Sequence, residues 1–363
     1  MKILHLEAGR HLYGGARQVG NLINGLADEG VDNLLVCMAG HELVDRVRAE
    51  VAELRLGGDV DLSLSRRLQR LAREARPDVI HVHSRRGADT FGGRAARSAG
   101  IPSILTRRVQ SAEPAAWLRF KCRPYSRTVA ISSAVRAELE RAGIDRDRLR
   151  LIPSAVDVNR LQPEPEARAG VIRRYGLPDD ALIAVSAAQL IRRKALDFLL
   201  PLAARLVASQ PRFRLLLFGQ GPQRARLESQ AVRLGLEGRV LFCGFDPEWS
   251  QLLPGFDLLL HPARREGLGA VVLEAMSAGL PVVASAVGGI VDVIEDGVDG
   301  CLVAPDAGND WYRVVHDLLE NPDRRARLGV EARRTVESRF TIEGMTESYL
   351  ELYEEVIGHD TAH

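Results

Sequence analysis

The chain has 363 residues, of which 46% are hydrophobic, enough apolar content for two packed domains of ordinary size. No stretch approaches the ~18–20 unbroken apolar residues of a membrane span, and Cys37, Cys122, Cys243 and Cys301 lie too far apart for a metal-ligand spacing. The net charge of +1 hides an asymmetry: residues 1–160 hold 27 Lys+Arg against 19 Asp+Glu and residues 161–363 hold 22 against 29, so the first half is suited to meet something anionic.

The sequence opens on a strand-like run, Lys2 to Leu6, with no sign of a signal peptide; reduced thiols in a cytoplasmic protein are the expectation. Gly14-Gly15 then turns the chain into a helix read from Gln18 to Glu29. This is a Rossmann-like opening without the G-x-G-x-x-G fingerprint of dinucleotide sites. Asn33 to Cys37 reads as a strand, and Leu62 to Ala75 as an amphipathic helix. In the strand from Pro77 to His83, His81 and His83 face the same side. Two such histidines suit a metal, but no third ligand is near in sequence, so a structural or substrate-lining role is favoured. Ser84-Arg85-Arg86 follows at the carboxyl end of the strand, where open α/β sheets bind ligands.

Ile104 to Arg108 is another strand end, and Arg107 there is suited to hold an anionic acceptor group bidentately, although not to act as a base. From Arg107 to Arg127 there are six basic residues and one acid, with Trp117, Phe120 and Tyr125 interleaved. An anionic membrane surface is one partner for such a segment. The alternative is a solvated helix with its aromatics packed inward, and nucleic acid is disfavoured. Thr128 to Ile131 reads as a strand, Ser132 as an N-cap, and Ala134 to Ala142 as a helix. Leu161 to Glu166, with Pro163 and Pro165, reads as a linker.

In the second half, Ala181 to Ala187 is a buried strand followed by Gln189 and the basic run Arg192-Arg193-Lys194. Phe213 to Phe218 is another, ending at Gly219-Gln-Gly221. Leu258 to Leu260 precedes Glu266-Gly267-Leu268-Gly269, a helix from Ala270 to Ala278, the stop Gly279 and a strand from Pro281 to Ser285. A helix N-terminus presents unpaired N–H groups, and glycines at 267 and 269 let a phosphate approach the amides of Leu268 and Gly269. Glu274, one turn into that helix, leans back toward its start, where it can accept hydrogen bonds from sugar hydroxyls. Glu266 stands at the mouth of the same place. A phosphate beside two hydroxyl-accepting carboxylates suggests a nucleotide sugar. Helices are expected at Trp311–Glu320, Arg324–Phe340 and Ile342–Ile357.

Glu266 and Glu274 bracketing the glycine turn, the run Glu274-Ala-Met-Ser-Ala-Gly-Leu-Pro-Val-Val-Ala-Ser285, and Gly288-Gly289 together resemble the donor site of the retaining family-four glycosyltransferases. The resemblance implies the GT-B architecture: α/β, with two doubly wound Rossmann-like domains facing a central cleft and a C-terminal helix crossing back to the first. The expected domains are 1–160 for the acceptor, 161–340 for the donor, and 341–363 as the returning helix. By the same resemblance Gly15, Gln189, Lys194, Gly219, Gly267, Leu268, Gly269 and Glu274 are donor-binding. Gly14, His83, Arg85 and Arg108 are acceptor-side, and Glu266 and Arg107 are catalytic. Arg107 stands where many relatives have a histidine, and Gln189 where they usually have an arginine.

The reading is a retaining, metal-independent glycosyltransferase without a cofactor. It moves a sugar from a nucleotide diphosphate such as UDP to a hydroxyl of a lipid-linked or surface glycan precursor, as in lipopolysaccharide or exopolysaccharide synthesis. Location is expected to be cytoplasmic, or peripheral at the inner face of the plasma membrane. The rivals are a nucleotide-sugar epimerase and a non-catalytic nucleotide-sugar-binding partner.

Overall fold

Short apolar runs alternate with helices along the described residues, and they become strands of two parallel sheets. The computed structural model describes residues 1–9, 12–55, 61, 63–83, 87–110, 113–160 and 166–360. The chain divides into two units, Met1–Ala155 with Ile342–His363, and Val156–Thr341. The division falls at Ala155–Val156 rather than at 160–161, and the expected linker at 161–166 lies outside the described residues except for Glu166.

The first unit holds seven strands: β1 (Lys2–Leu6), β2 (Asp32–Cys37), β3 (Glu50–Glu53), β4 (Val79–Val82), β5 (Ser103–Arg107), β6 (Arg127–Ala130) and β7 (Leu149–Leu151). Their order is β3-β2-β1-β4-β5-β6-β7, all parallel. The second holds β8 (Leu182–Ala187), β9 (Phe213–Phe218), β10 (Val240–Gly244), β11 (Leu258–His261), β12 (Val282–Ser285) and β13 (Cys301–Val303). These are ordered β10-β9-β8-β11-β12-β13, again parallel. In each sheet the connections run one way from one central strand and the opposite way from its neighbour. The loops after those two strands diverge and leave a crevice at their carboxyl ends. The crevice lies between β1 and β4 in the first unit, and between β8 and β11 in the second.

The C-terminal helix, Ile342–Asp360, belongs to the first unit. Met345, Tyr349, Leu352, Tyr353 and Val356 recur at helical spacing and pack on Ile3, Leu22, Val79, Ile104 and Val129. Ser132 caps the helix Ser133–Arg141, its Oγ accepting from Val135 N–H at 3.3 Å. Helix Gly14–Asp28 starts at the two glycines themselves, four residues ahead of the expected Gln18. Strand β3 was not anticipated. As a sheet-edge strand reading Glu-Val-Ala-Glu, it lacks an apolar run.

Candidate active site

In the second unit the loops after β8 and β11 meet. The first carries Gln189, half-buried, and a turn of helix at Arg192–Lys194. The second carries Glu266 and the helix Ala270–Ser277. The loops are tied by Arg264 N–H to Arg193 O at 2.8 Å. Lys194 Nζ bonds Glu266 Oε2, and His261 Nε2, at the last residue of β11, lies 3.0 Å from the same oxygen. The other oxygen, Oε1, accepts the Gly267 N–H at 3.2 Å. Burial alone would push the Glu266 carboxyl up, but the Lys194 ammonium and the His261 hydrogen bond outweigh it and hold it well below the usual carboxylate range. Burial lowers the Lys194 ammonium, against the pull of Glu266. It also lowers His261, which Glu266 supports and Lys194 opposes.

Gly269 precedes the helix with φ 98°, a conformation that favours glycine, and a Cβ there would lie 2.5 Å from Ile290 Cδ1. Gly269, the N-cap, has no side chain to cap that helix start. Glu274 sits one turn in, half-buried. Beside this, Gly219 is at φ 128°, and a Cβ on it would stand 1.9 Å from Ala188 O. Only glycine lets the β9 turn lie flat on the loop after β8, where Leu190 N–H donates to Gln220 O at 3.0 Å. The loop with Lys194 and the loop with Glu266, Gly267, Leu268, Gly269 and Glu274 thus meet at the β8–β11 crevice, with the Gly219 turn packed on the first of them.

The first unit's crevice is lined differently. Gly14 and Gly15 are exposed at the start of helix Gly14–Asp28, and the Arg108 side chain lies over Gly15, its Cδ 3.8 Å from where a Cβ would be. Behind Arg108 runs a buried chain of hydrogen bonds. Asn33 Nδ2 donates to Val31 O at 2.9 Å and to Ile23 O at 3.4 Å, so its Oδ1 accepts from His5 Nε2 at 3.0 Å. His5 Nδ1 must then accept from His83 Nε2 at 3.0 Å, and His83 Nδ1 accepts from Arg108 Nη2 at 3.5 Å. The chain closes only if both rings are neutral. Burial favours that, pushing His5 down to about 4 and His81 and His83 well below their ordinary value. His81 bonds Tyr353 Oη at 2.6 Å and Thr106 Oγ1 at 2.7 Å.

His5, His81 and His83 also bring ring nitrogens within 4.8 Å of one another, the third ligand that the sequence did not supply for His81 and His83. Each ring is already held by the bonds above, so an ion would have to break that chain.

Arg107 is a correction. Expected to reach an acceptor, it is 2% exposed and bound within the unit, to Asp89 Oδ2 at 3.3 Å and Glu113 Oε2 at 2.8 Å. Lys121 completes the network, to Asp89 at 2.9 Å and Glu113 at 2.6 Å. Neighbouring side chains on a strand point to opposite faces, so Arg107 turning inward leaves Arg108 toward the crevice. Arg85 lies outside the described residues. The aromatics of the basic segment divide: Tyr125 is buried and donates to Asp89 O at 3.0 Å, whereas Trp117 and Phe120 are 43% and 48% exposed and stacked at 5.1 Å. Arg94 lies over Phe120 at 4.2 Å. Among the described residues no helix is long and apolar enough to cross a membrane.

Sequence reasoning passed over His261, His5 and Asn33. A polar residue ending the apolar run Leu-Leu-Leu-His at a strand's carboxyl end was a usable signal for His261. His5 had none, because its partners arrive only through the pairing of β1 with β4.

Residues 13–160 match the family described as Glycosyltransferase Family 4, and residues 170–335 match Glycosyl transferases group 1. The chain is 25% identical to the lipopolysaccharide core biosynthesis glycosyltransferase LpsE of Rhizobium meliloti, over 97% of this chain and 98% of that one. It is 35% identical to a GDP-mannose-dependent α-(1-6)-phosphatidylinositol monomannoside mannosyltransferase of Mycolicibacterium smegmatis, over 50% of each chain. Among solved structures it is similar to Anabaena HepE in complex with UDP-glucose, with a TM-score of 0.87 and 23% identity, over 98% of this chain and 100% of that one.

Proposed function

The chain belongs to the family-four glycosyltransferases of the GT-B type, and we propose that it is a retaining enzyme that passes a sugar from a nucleotide diphosphate to a hydroxyl of a lipid-linked or surface glycan. The lipopolysaccharide-core relative that matches nearly the whole chain supports an acceptor of that class. The observation that carries the donor assignment is the convergence of Lys194 and Glu266 at the β8–β11 crevice, beside a helix start whose N-cap is Gly269. In this reading the diphosphate takes the Lys194 ammonium and the first amides of the helix, Glu274 holds the ribose hydroxyls, and Glu266 holds the transferred sugar. A fixed cation and fixed amides stabilise the charge that develops on the leaving diphosphate without reorganising. Holding donor and acceptor together lowers the remaining barrier. Arg108, held by His83 and lying over Gly15, has the acceptor-side role expected of it, and the catalytic role expected of Arg107 falls away. The exposed Trp117–Phe120 stack, with Arg94 beside it, is suited to rest on an anionic bilayer surface.

The test is incubation with UDP-glucose or GDP-mannose and a lipopolysaccharide-core glycolipid, the product being read by proton NMR at the new anomeric centre. Retained α configuration supports the reading. An inverted product, a new nucleotide sugar formed without acceptor, or no turnover with any donor would each overturn it.

A further inference from the structure

One carboxylate oxygen in the second unit receives two donors. Glu266 Oε2 takes Lys194 Nζ and faces His261 Nε2 at 3.0 Å, and the three side chains are 12%, 12% and 2% exposed. Because His261 Nε2 faces an ionised carboxylate, it is the nitrogen that carries the hydrogen in the neutral ring. The charges acting on His261 are Glu266, Lys194 and Arg193. Lys194 and Glu266 balance each other, and burial keeps the histidine neutral.

That balance cannot survive a diphosphate at Lys194. The ligand brings two negative charges, draws the ammonium toward itself, and leaves the carboxylate short of a cation in a place largely closed to water. The ring beside it already donates to the correct oxygen. It needs only one proton on Nδ1 to become the replacement cation, and the ligand's charge favours that change.

We propose that His261 takes up a proton from solvent when a donor diphosphate engages Lys194. Glu266 then exchanges an ammonium partner for an imidazolium and stays a carboxylate facing the sugar. The proton leaves again when the diphosphate does. His261 is thus a positioning residue that touches neither donor nor acceptor. The inference rests on the donor-site reading given above. It predicts that donor affinity falls as pH rises, by up to about tenfold per pH unit for one linked proton.

The test is isothermal titration of the whole chain with UDP-glucose and with GDP-mannose, in buffers of different ionisation enthalpy at neutral pH. These diphosphates are diesters with no proton of their own to lose there. About one proton taken up per donor is expected, falling to near zero in His261→Gln, which keeps an N–H for Glu266 but has no ring to charge. The nitrogen-15 shifts of the His261 ring in the unmutated chain read the same event without relying on a variant. They should move to the imidazolium pattern when donor is added. Binding that requires Lys194 yet takes up no proton, uptake that persists in His261→Gln, or a ring that stays neutral would overturn this inference alone. Failure of both nucleotide sugars to bind, or binding indifferent to Lys194→Ala, would instead overturn the donor-site reading beneath it.

Discussion

Arg107→Ala should unfold more than it disarms. In the native unit the guanidinium is 2% exposed and spans Asp89 and Glu113, whose side chains are 1% and 14% exposed. Removing it leaves two carboxylates facing the single ammonium of Lys121, so one buried negative charge loses its partner. Breaking a buried pair in this way costs about 3–5 kcal/mol, a Tm lower by roughly 6–20 °C for a unit of this size. Arg107→Met combined with Glu113→Gln leaves Asp89 and Lys121 balanced and should recover part of that loss. Arg108→Ala, which gives up one long hydrogen bond to His83, should cost under about 1 kcal/mol. Differential scanning calorimetry on the three variants reads the order directly. If Arg107→Ala kept the native Tm while Arg108→Ala lost it, the inward placement of Arg107 would be wrong.

The network also sets an acid limit. Burial pushes Glu113 up, but the Lys121 hydrogen bond and Arg107 hold its carboxyl at about 2, so its contribution is present above ~4.5 and lost as pH falls through about 2. The histidines act earlier. His5 is depressed to about 4, so the unfolded chain binds a proton that the folded one refuses, and stability drains away as pH falls from ~6.5 toward 4. Denaturant titrations in that window should show a loss on the order of 3 kcal/mol for this ring, and an Asn33→Leu variant, lacking the acceptor for His5, should begin from lower stability. Gly219→Ala should abolish the donor-induced thermal shift, because the methyl meets Ala188 O and displaces the loop that carries Lys194; an unchanged shift would mean the turn is not part of the donor site. Trp117→Ser with Phe120→Ser should reduce co-sedimentation with anionic vesicles at low salt, and equal recovery of variant and parent in the pellet would remove the bilayer from the account.

What the sequence disclosed and what it withheld follow a physical line. The β11 side of the second unit's crevice was readable because its parts are local: an apolar run, a glycine turn, a helix start, and a glutamate one turn later all fall between 258 and 285. The first unit's crevice is assembled from β1, β2, β4 and β5, so the chain Asn33–His5–His83–Arg108 exists only after the strands have paired. Arg107 was assigned to the crevice along with Arg108 for a related reason. They sit at the end of β5, where a shift of one residue swaps the inward and outward faces, and nothing in two adjacent arginines says which is which. The Trp117, Phe120 and Tyr125 set likewise read as one group but divides, since Tyr125 follows the end of its helix and turns into the core.

The most direct measurement is a crystal structure of the chain soaked with UDP-glucose or GDP-mannose. The expected result is a diphosphate bonded to Lys194 Nζ and to the amides at Leu268 and Gly269, with the ribose hydroxyls on Glu274. A nucleotide sugar bound elsewhere on the second unit, with Lys194 still closed on Glu266, would contradict it.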